Sequence, residues 1–214
     1  VQDRTGFAHL FEHLMFQGSL HNDGDYFGPL QEVGGRVNGS TNLDRTNYFE
    51  GVPAEQLPLA LWGEADRMGF MLEVLSEERL SNQKDVVRNE RRQRYENRPY
   101  GSVWITLLEN IFPEGHPYHH PTIGRHEDLD AATLEDVQAF FRTWYVPNNA
   151  SLVVAGDFEP AQAKELIDLY FAQIPAGEEP PATQAPEPAP LIEPIEVRQV
   201  EAGVPHEKVW IAWR

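Results

Sequence analysis

The sequence predicts an α+β fold in which helices pack on one side of a mostly antiparallel sheet. Three observations carry this: several segments with apolar residues at helical spacing, two short strand-like segments joined by a polar turn, and a later apolar run of strand length. In chain order, a first helix is expected over residues 5–17, with Gly18 as its stop. Residues 19–24 are polar and read as a loop, and a short helix over 26–33 then meets Gly34 and Gly35. Strands over 36–42 and 46–52 are joined by Asn42-Leu43-Asp44-Arg45. Pro53 opens a helix to about residue 72, whose inward stripe is Leu57, Leu61, Ala65, Met68 and Leu72. Further helices are expected over 77–97 and 103–112, separated by Arg98-Pro99-Tyr100-Gly101. Thr133-Leu134-Glu135-Asp136 resembles an N-terminal cap for a helix through Val137, Phe140, Phe141, Trp144 and Tyr145. Residues 150–155 read as a buried strand ended by Gly156-Asp157, and Pro160 starts one more helix at its first turn.

The chemistry concentrates in His9-Leu10-Phe11-Glu12-His13. Residues four apart on a helix lie about 40° apart around the axis and one turn apart along it, so His9 and His13 form a two-pronged grip. Glu12 lies on the same side, three residues after His9. Two imidazoles and a carboxylate on one face are what a hydrolytic zinc site needs, and H-x-x-E-H is the inverzincin pattern. Such a site takes a third protein ligand, and Glu12 does not easily serve as both ligand and base. The helix over 77–97 offers a later acid on its inward stripe of Leu80, Gln83, Val87, Glu90 and Arg94. A carboxylate in line with a buried valine must find a cation, a metal or several donors. Arg91, Arg92 and Arg94 are close enough in sequence to make a salt bridge the competing explanation of Glu90.

With these residues in view, the sequence resembles the pitrilysin/insulinase family of zinc metallopeptidases. The resemblance rests on the histidine motif, on Glu90 lying 77 residues beyond His13, and on the flanking Arg4-Thr5-Gly6-Phe7-Ala8 and Leu14-Met15-Phe16-Gln17-Gly18. It continues through Gly34-Gly35-Arg36-Val37-Asn38 and Val154-Ala155-Gly156-Asp157-Phe158. It implies zinc ligands His9, His13 and Glu90, one zinc per chain, and Glu12 as general base for hydrolysis of extended peptides. The family often has an acid seven residues before the liganding Glu; here Gln83 stands there, able to hydrogen-bond outside the ligand set without carrying charge. The family also receives substrate along the first strand. This assigns Asn38, Gly39, Ser40 and Thr41 to a substrate edge, although Gly39 inside a strand is equally the mark of a bulged edge. A non-catalytic peptide-binding or assembly subunit of the same fold is the alternative.

The same resemblance predicts a metal-binding peptidase domain over 1–174, and the Pro-, Ala- and Glu-rich composition of 175–194 reads as a stiff linker. Opening strands of a second, truncated α/β domain follow over 195–214, at 195–200 and 208–213. Because the chain starts with Val1 only eight residues before the motif, a fragment or processed chain is expected, with the family's first strands missing. A homologous second half, in cis or as a partner subunit, is expected to complete the peptidase.

Composition bounds the remaining options. The chain has 214 residues, 41% hydrophobic, with five Trp, which excludes general disorder. Its net charge is -17, with 34 acidic and 17 basic residues, which argues against nucleic-acid binding and permits attraction of basic peptides. No run approaches the ~18–20 apolar residues of a membrane span, and no basic start with an apolar h-region is present. Zero cysteines exclude disulfides and thiolate ligands. His116, His119 and His120 form a tempting second cluster, but Pro117 and Pro121 impose an extended or turning backbone, and the run reads as a structural loop.

Overall fold

A computed structural model describes residues 4–182 and 184–213. Helix α1 (Phe7–Leu14) is the element about which the rest is arranged. Its turn-by-turn apolar spacing buries Phe7, Leu10, Phe11 and Leu14 on one side. Leu10, Phe11, Leu14 and Met15 lead a core that takes in Met71, Leu80, Val87, Ile123, Leu129, Val137 and Phe141. Gly6 precedes α1 with φ 86°, and a Cβ there would come 2.8 Å from the Ile123 carbonyl oxygen. Only glycine lets the strand of chain at 123–124 cross the helix start so closely. Thr5 is tied to the same region: its N–H donates to Asp128 Oδ2 at 3.0 Å, and its hydroxyl accepts from Arg125 N–H at 2.9 Å.

After α2 (Phe27–Glu32) the chain forms an antiparallel hairpin of β1 (Arg36–Thr41) and β2 (Thr46–Gly51). Its register pairs Arg36 with Gly51 and Thr41 with Thr46. Alternation along β1 turns Val37, Gly39 and Thr41 toward α1 and leaves Asn38 and Ser40 exposed. Phe16, Tyr26, Leu30 and Ala60 make a second core beneath the hairpin. Helix α3 (Leu57–Phe70), with Pro58 in its first turn, follows a short 3₁₀ turn. It places Arg67 in the interior, 1% exposed, ion-paired with Glu64 and lying over the rings of Tyr26 (4.2 Å) and Tyr48 (4.5 Å).

Helix α4 (Glu77–Arg91) is capped by Ser76, whose hydroxyl accepts from Arg79 N–H at 3.2 Å. Its buried residues Leu80, Gln83 and Val87 lie on one face against α1, and Arg92–Glu96 continues as a π-helical turn. Then come α5 (Val103–Ile111), α6 (His126–Ala131), α7 (Leu134–Trp144) and α8 (Pro160–Phe171). The expected cap of α7 is a full capping box, Thr133 and Asp136 each bonding the other's backbone N–H. The architecture is α+β, with helices gathered on the inward face of an antiparallel sheet.

Two expectations about strands differ from what the structure holds. Residues 150–155 run extended without ladder partners, and Leu152 and Val153 are exposed. They and β2 both line a groove of about 1120 Å³. Residues 195–200 and 208–213 likewise form no strand; a ladder needs a neighbour, and this segment instead lies across α5. There Tyr100 Oη donates to the His206 carbonyl at 2.6 Å, and Gln199 Nε2 donates to Thr106 Oγ1 at 2.6 Å. Val200, Val209 and Trp213 stay exposed. Among the described residues, no helix is long and apolar enough to cross a membrane.

Candidate metal centre

Packing of α4 on α1 decides which acid meets the histidines. Val87 is fully buried in the α1 core, and Glu90, one turn further along the same face, emerges beside His9 and His13. Glu90 Oε2 lies 3.3 Å from His13 Nε2 and 3.6 Å from His9 Nε2, and the three donor atoms all fall within 4.8 Å of one another. Zinc bonds of about 2.0–2.1 Å to tetrahedrally placed ligands put neighbouring donor atoms about 3.3–3.4 Å apart. The two imidazole–carboxylate separations fit that edge, and two nitrogens and one oxygen suit the ion in number and chemistry.

The electrostatics agree with a ligand set. Burial lowers the His9 imidazole to about 4; Glu90 opposes the shift and His13 adds to it, so His9 is neutral at neutral pH with a lone pair to give. Its contact with Glu90 is therefore no ion pair. The hydrogen bond with His13 holds the Glu90 carboxyl below the usual carboxylate range against its burial, with His9 and Arg94 contributing. His9 Nδ1 is buried and finds no partner among the described residues.

Glu90's second oxygen resolves the salt-bridge alternative, because both contacts form at once. Arg94 Nη1 donates to Oε1 at 2.8 Å while Oε2 faces the histidines. Arg94, on the stripe in sequence, is mostly exposed and reaches back to the carboxylate from solvent. Gln83 is buried, and its amide NH2 donates to Asn82 Oδ1 at 2.9 Å on its own helix.

Glu12 lies outside the three-donor group, toward the hairpin. Thr41 Oγ1 donates a short hydrogen bond to Glu12 Oε2, and a Cβ at Gly39 would come 3.0 Å from both Glu12 Cγ and Oε1. Glycine at 39 thus gives the carboxylate its space. The expected edge divides: Asn38 and Ser40 face outward, whereas Gly39 and Thr41 face Glu12. The histidine loop is engaged locally. His116 Nδ1 accepts from Tyr118 N–H at 3.0 Å, and His119 Nδ1 lies 2.8 Å from the Phe112 carbonyl.

Two imidazoles and a carboxylate on packed helices, with a second carboxylate beside them, have the donor chemistry of a hydrolytic metal site. The sequence profile of insulinase (peptidase family M16) matches residues 2–124, which contain all four groups, and that of the peptidase M16 inactive domain matches 131–214. The chain belongs to the insulinase family, peptidase family M16. It is 31% identical over 172 residues to the zinc protease PqqE of Helicobacter pylori, covering 80% of this chain and 38% of that protein. To the mitochondrial-processing peptidase subunit beta of Neurospora crassa it is 25% identical over 186 residues, 82% of this chain and 36% of the other. The crystal structure of a protease from Helicobacter pylori superposes with a TM-score of 0.78 at 29% identity, covering 88% of this chain and 44% of that one. Pitrilysin shares the fold, with a TM-score of 0.71 at 22% identity over 88% of this chain and 20% of its own. The chain therefore spans about two fifths of the length of the curated relatives named here.

Proposed function

We propose that this chain carries the metal-binding and base-bearing part of a zinc metalloendopeptidase that hydrolyses extended peptides. The observation that carries this reading is the convergence of His9, His13 and Glu90, with Glu12 held beside them and outside the donor group. His9, His13 and Glu90 would hold one zinc, and Arg94 keeps Glu90 turned so that Oε2 faces the imidazoles. Bound zinc would supply a Lewis acid for the scissile carbonyl and lower the pKa of its water to about 7. Glu12 accepts a proton from the attacking water and delivers it to the leaving amine nitrogen. An extended peptide adds to the hairpin along β1, where Asn38 and Ser40 face outward and the backbone fixes its register. A homologous second half, in cis or as a partner chain, encloses the peptide and stabilises the developing oxyanion, consistent with relatives longer than this chain.

The test is Glu12→Gln, made in the chain together with its second half. The variant retains the carboxylate's shape but not its ability to take a proton. Zinc content is expected to stay at the parent value while cleavage of a quenched fluorescent peptide disappears. Cleavage near the parent rate would remove Glu12 from the mechanism. A non-catalytic peptide-binding subunit is the second reading, favoured by the match of 131–214 to the inactive-domain profile. It predicts no cleavage in the parent protein either.

A further inference from the structure

From the contacts on the inward face of the hairpin, we infer that Thr41 is a positioning residue that fixes the direction of the Glu12 carboxylate. This rests on Glu12 being the base. Thr41 Oγ1 donates to Glu12 Oε2, while the missing side chain at Gly39 leaves the rest of that carboxylate room against β1. A hydroxyl has one proton. Since Thr41 gives its proton to Glu12, it is the acceptor in its 3.4 Å contact with Thr46 Oγ1, its partner across the hairpin. Behind the hairpin the phenol of Tyr145, the residue after α7, lies 3.1 Å from the Tyr48 hydroxyl. Burial pushes both phenols above their ordinary range, so each retains its proton across neutral pH.

Thr46 thus donates to Thr41, and Thr41 donates to Glu12. Both threonines belong to the paired strands β1 and β2, whose Val37 and Tyr48 pack on the core beneath the hairpin. A base must sit within hydrogen-bond reach of the proton it takes, and a free glutamate samples several rotamers. Thr41 selects one of them. It also places the base on the strand proposed to take the substrate, so peptide and carboxylate share one rigid reference.

The experiment compares Thr41→Val and Thr41→Ser with the parent and Glu12→Gln, each with the second half present. Valine has nearly the shape of threonine without its hydroxyl, and serine restores the donor. Thr41→Val is expected to lower kcat by about 10- to 100-fold, the range for losing a hydrogen bond to a charged group. KM, zinc content and melting temperature should stay close to the parent, and Thr41→Ser should recover most of the rate. A crystal structure of Thr41→Val should show the Glu12 carboxylate displaced or in more than one rotamer. Thr46→Val, one step back in the row, is expected to give a smaller loss of kcat with KM unchanged, and provides the test should Thr41→Val not fold. Unchanged kcat in these variants, or a raised KM with unchanged kcat, would overturn the proposal; the second result would return Thr41 to substrate binding. If Glu12→Gln itself stays active, the base assignment has failed. If Glu12→Gln is dead and Thr41→Val is normal, only the positioning role has failed.

Discussion

Arg94→Met separates an ornamental ion pair from one that orients a ligand. Arg94 and Glu90 are an i,i+4 pair on one helix, 2.8 Å apart, and the Arg side chain is 67% exposed. A solvent-exposed pair of this kind is worth about 0.3–0.5 kcal/mol, which would alter zinc affinity only about twofold. A partner that orients a metal ligand typically changes affinity about 10–100-fold. Two observations place the expected effect at about tenfold, the lower end of that range. High exposure screens the arginine's charge, and the hydrogen bond with His13, which does not involve Arg94, is the larger cause of Glu90's lowered pKa. What Arg94 contributes is direction, by occupying Oε1 while Oε2 faces His9 and His13. The assay is a competition titration of zinc against a chelator of known affinity, with Arg94→Lys alongside. Lysine keeps the charge but loses the planar fork, so it should recover only part of the loss. A change below about twofold in Arg94→Met would refute the orienting role and leave an ordinary surface pair.

Other outcomes follow from the buried polar groups and the caps. Arg67→Met should destabilise the fold by about 3 kcal/mol, the low end for stranding one partner of a buried pair, because Glu64 retains some solvent contact. Denaturant melts of the single variant and of Glu64→Gln/Arg67→Met check this: the double variant should be the more stable, and equal stability to the parent in Arg67→Met would contradict it. Burial, with Glu64 adding and Arg67 and the Tyr26 hydroxyl opposing, raises Glu50 to about 7. The folded state then binds that proton more tightly than the unfolded chain, so its contribution is present below about pH 4.5 and lost as pH rises through about 7. Glu50→Gln, which can still accept from Tyr26, should therefore gain stability over the parent at pH 8 and lose that advantage near pH 5 in melts at the two pH values. Thr133→Ala removes half of the α7 capping box and should cost about 1 kcal/mol in the same melts.

How much was legible beforehand follows the range of each interaction. Histidines four apart on a helix meet through helix geometry alone, so the His9–His13 grip follows from local spacing. Glu90 was readable because Leu80, Val87 and Glu90 share a stripe, and the valine's burial carries the carboxylate with it to α1. The hairpin was readable as two short strand-like segments about a polar turn. Residues 150–155 show where such reasoning stops. Apolar composition marks a segment able to join a sheet but names no partner, and here the segment forms no ladder. The tail at 195–213 fails as a strand for the same reason. Arg67 was hidden because, beyond Glu64 on its own helix, the rings that cover it belong to Tyr26 and Tyr48, distant in sequence. The hydroxyls leading to Glu12 belong to residues 41 and 46, and only tertiary packing brings the hairpin against the helix that carries Glu12. One clue to it was present: alternation puts Thr41 on the same inward face as Gly39, turned away from the outward edge to which both were assigned.

The central claim is that His9, His13 and Glu90 form one metal site. It is tested most directly by elemental analysis of protein purified free of metal and titrated back with zinc, beside His13→Ala and the pair His119→Ala/His120→Ala. One zinc per chain is expected in the parent and in the His119/His120 variant, and no tightly held zinc in His13→Ala. Stoichiometric zinc retained by His13→Ala, or lost from the His119/His120 variant, would contradict it.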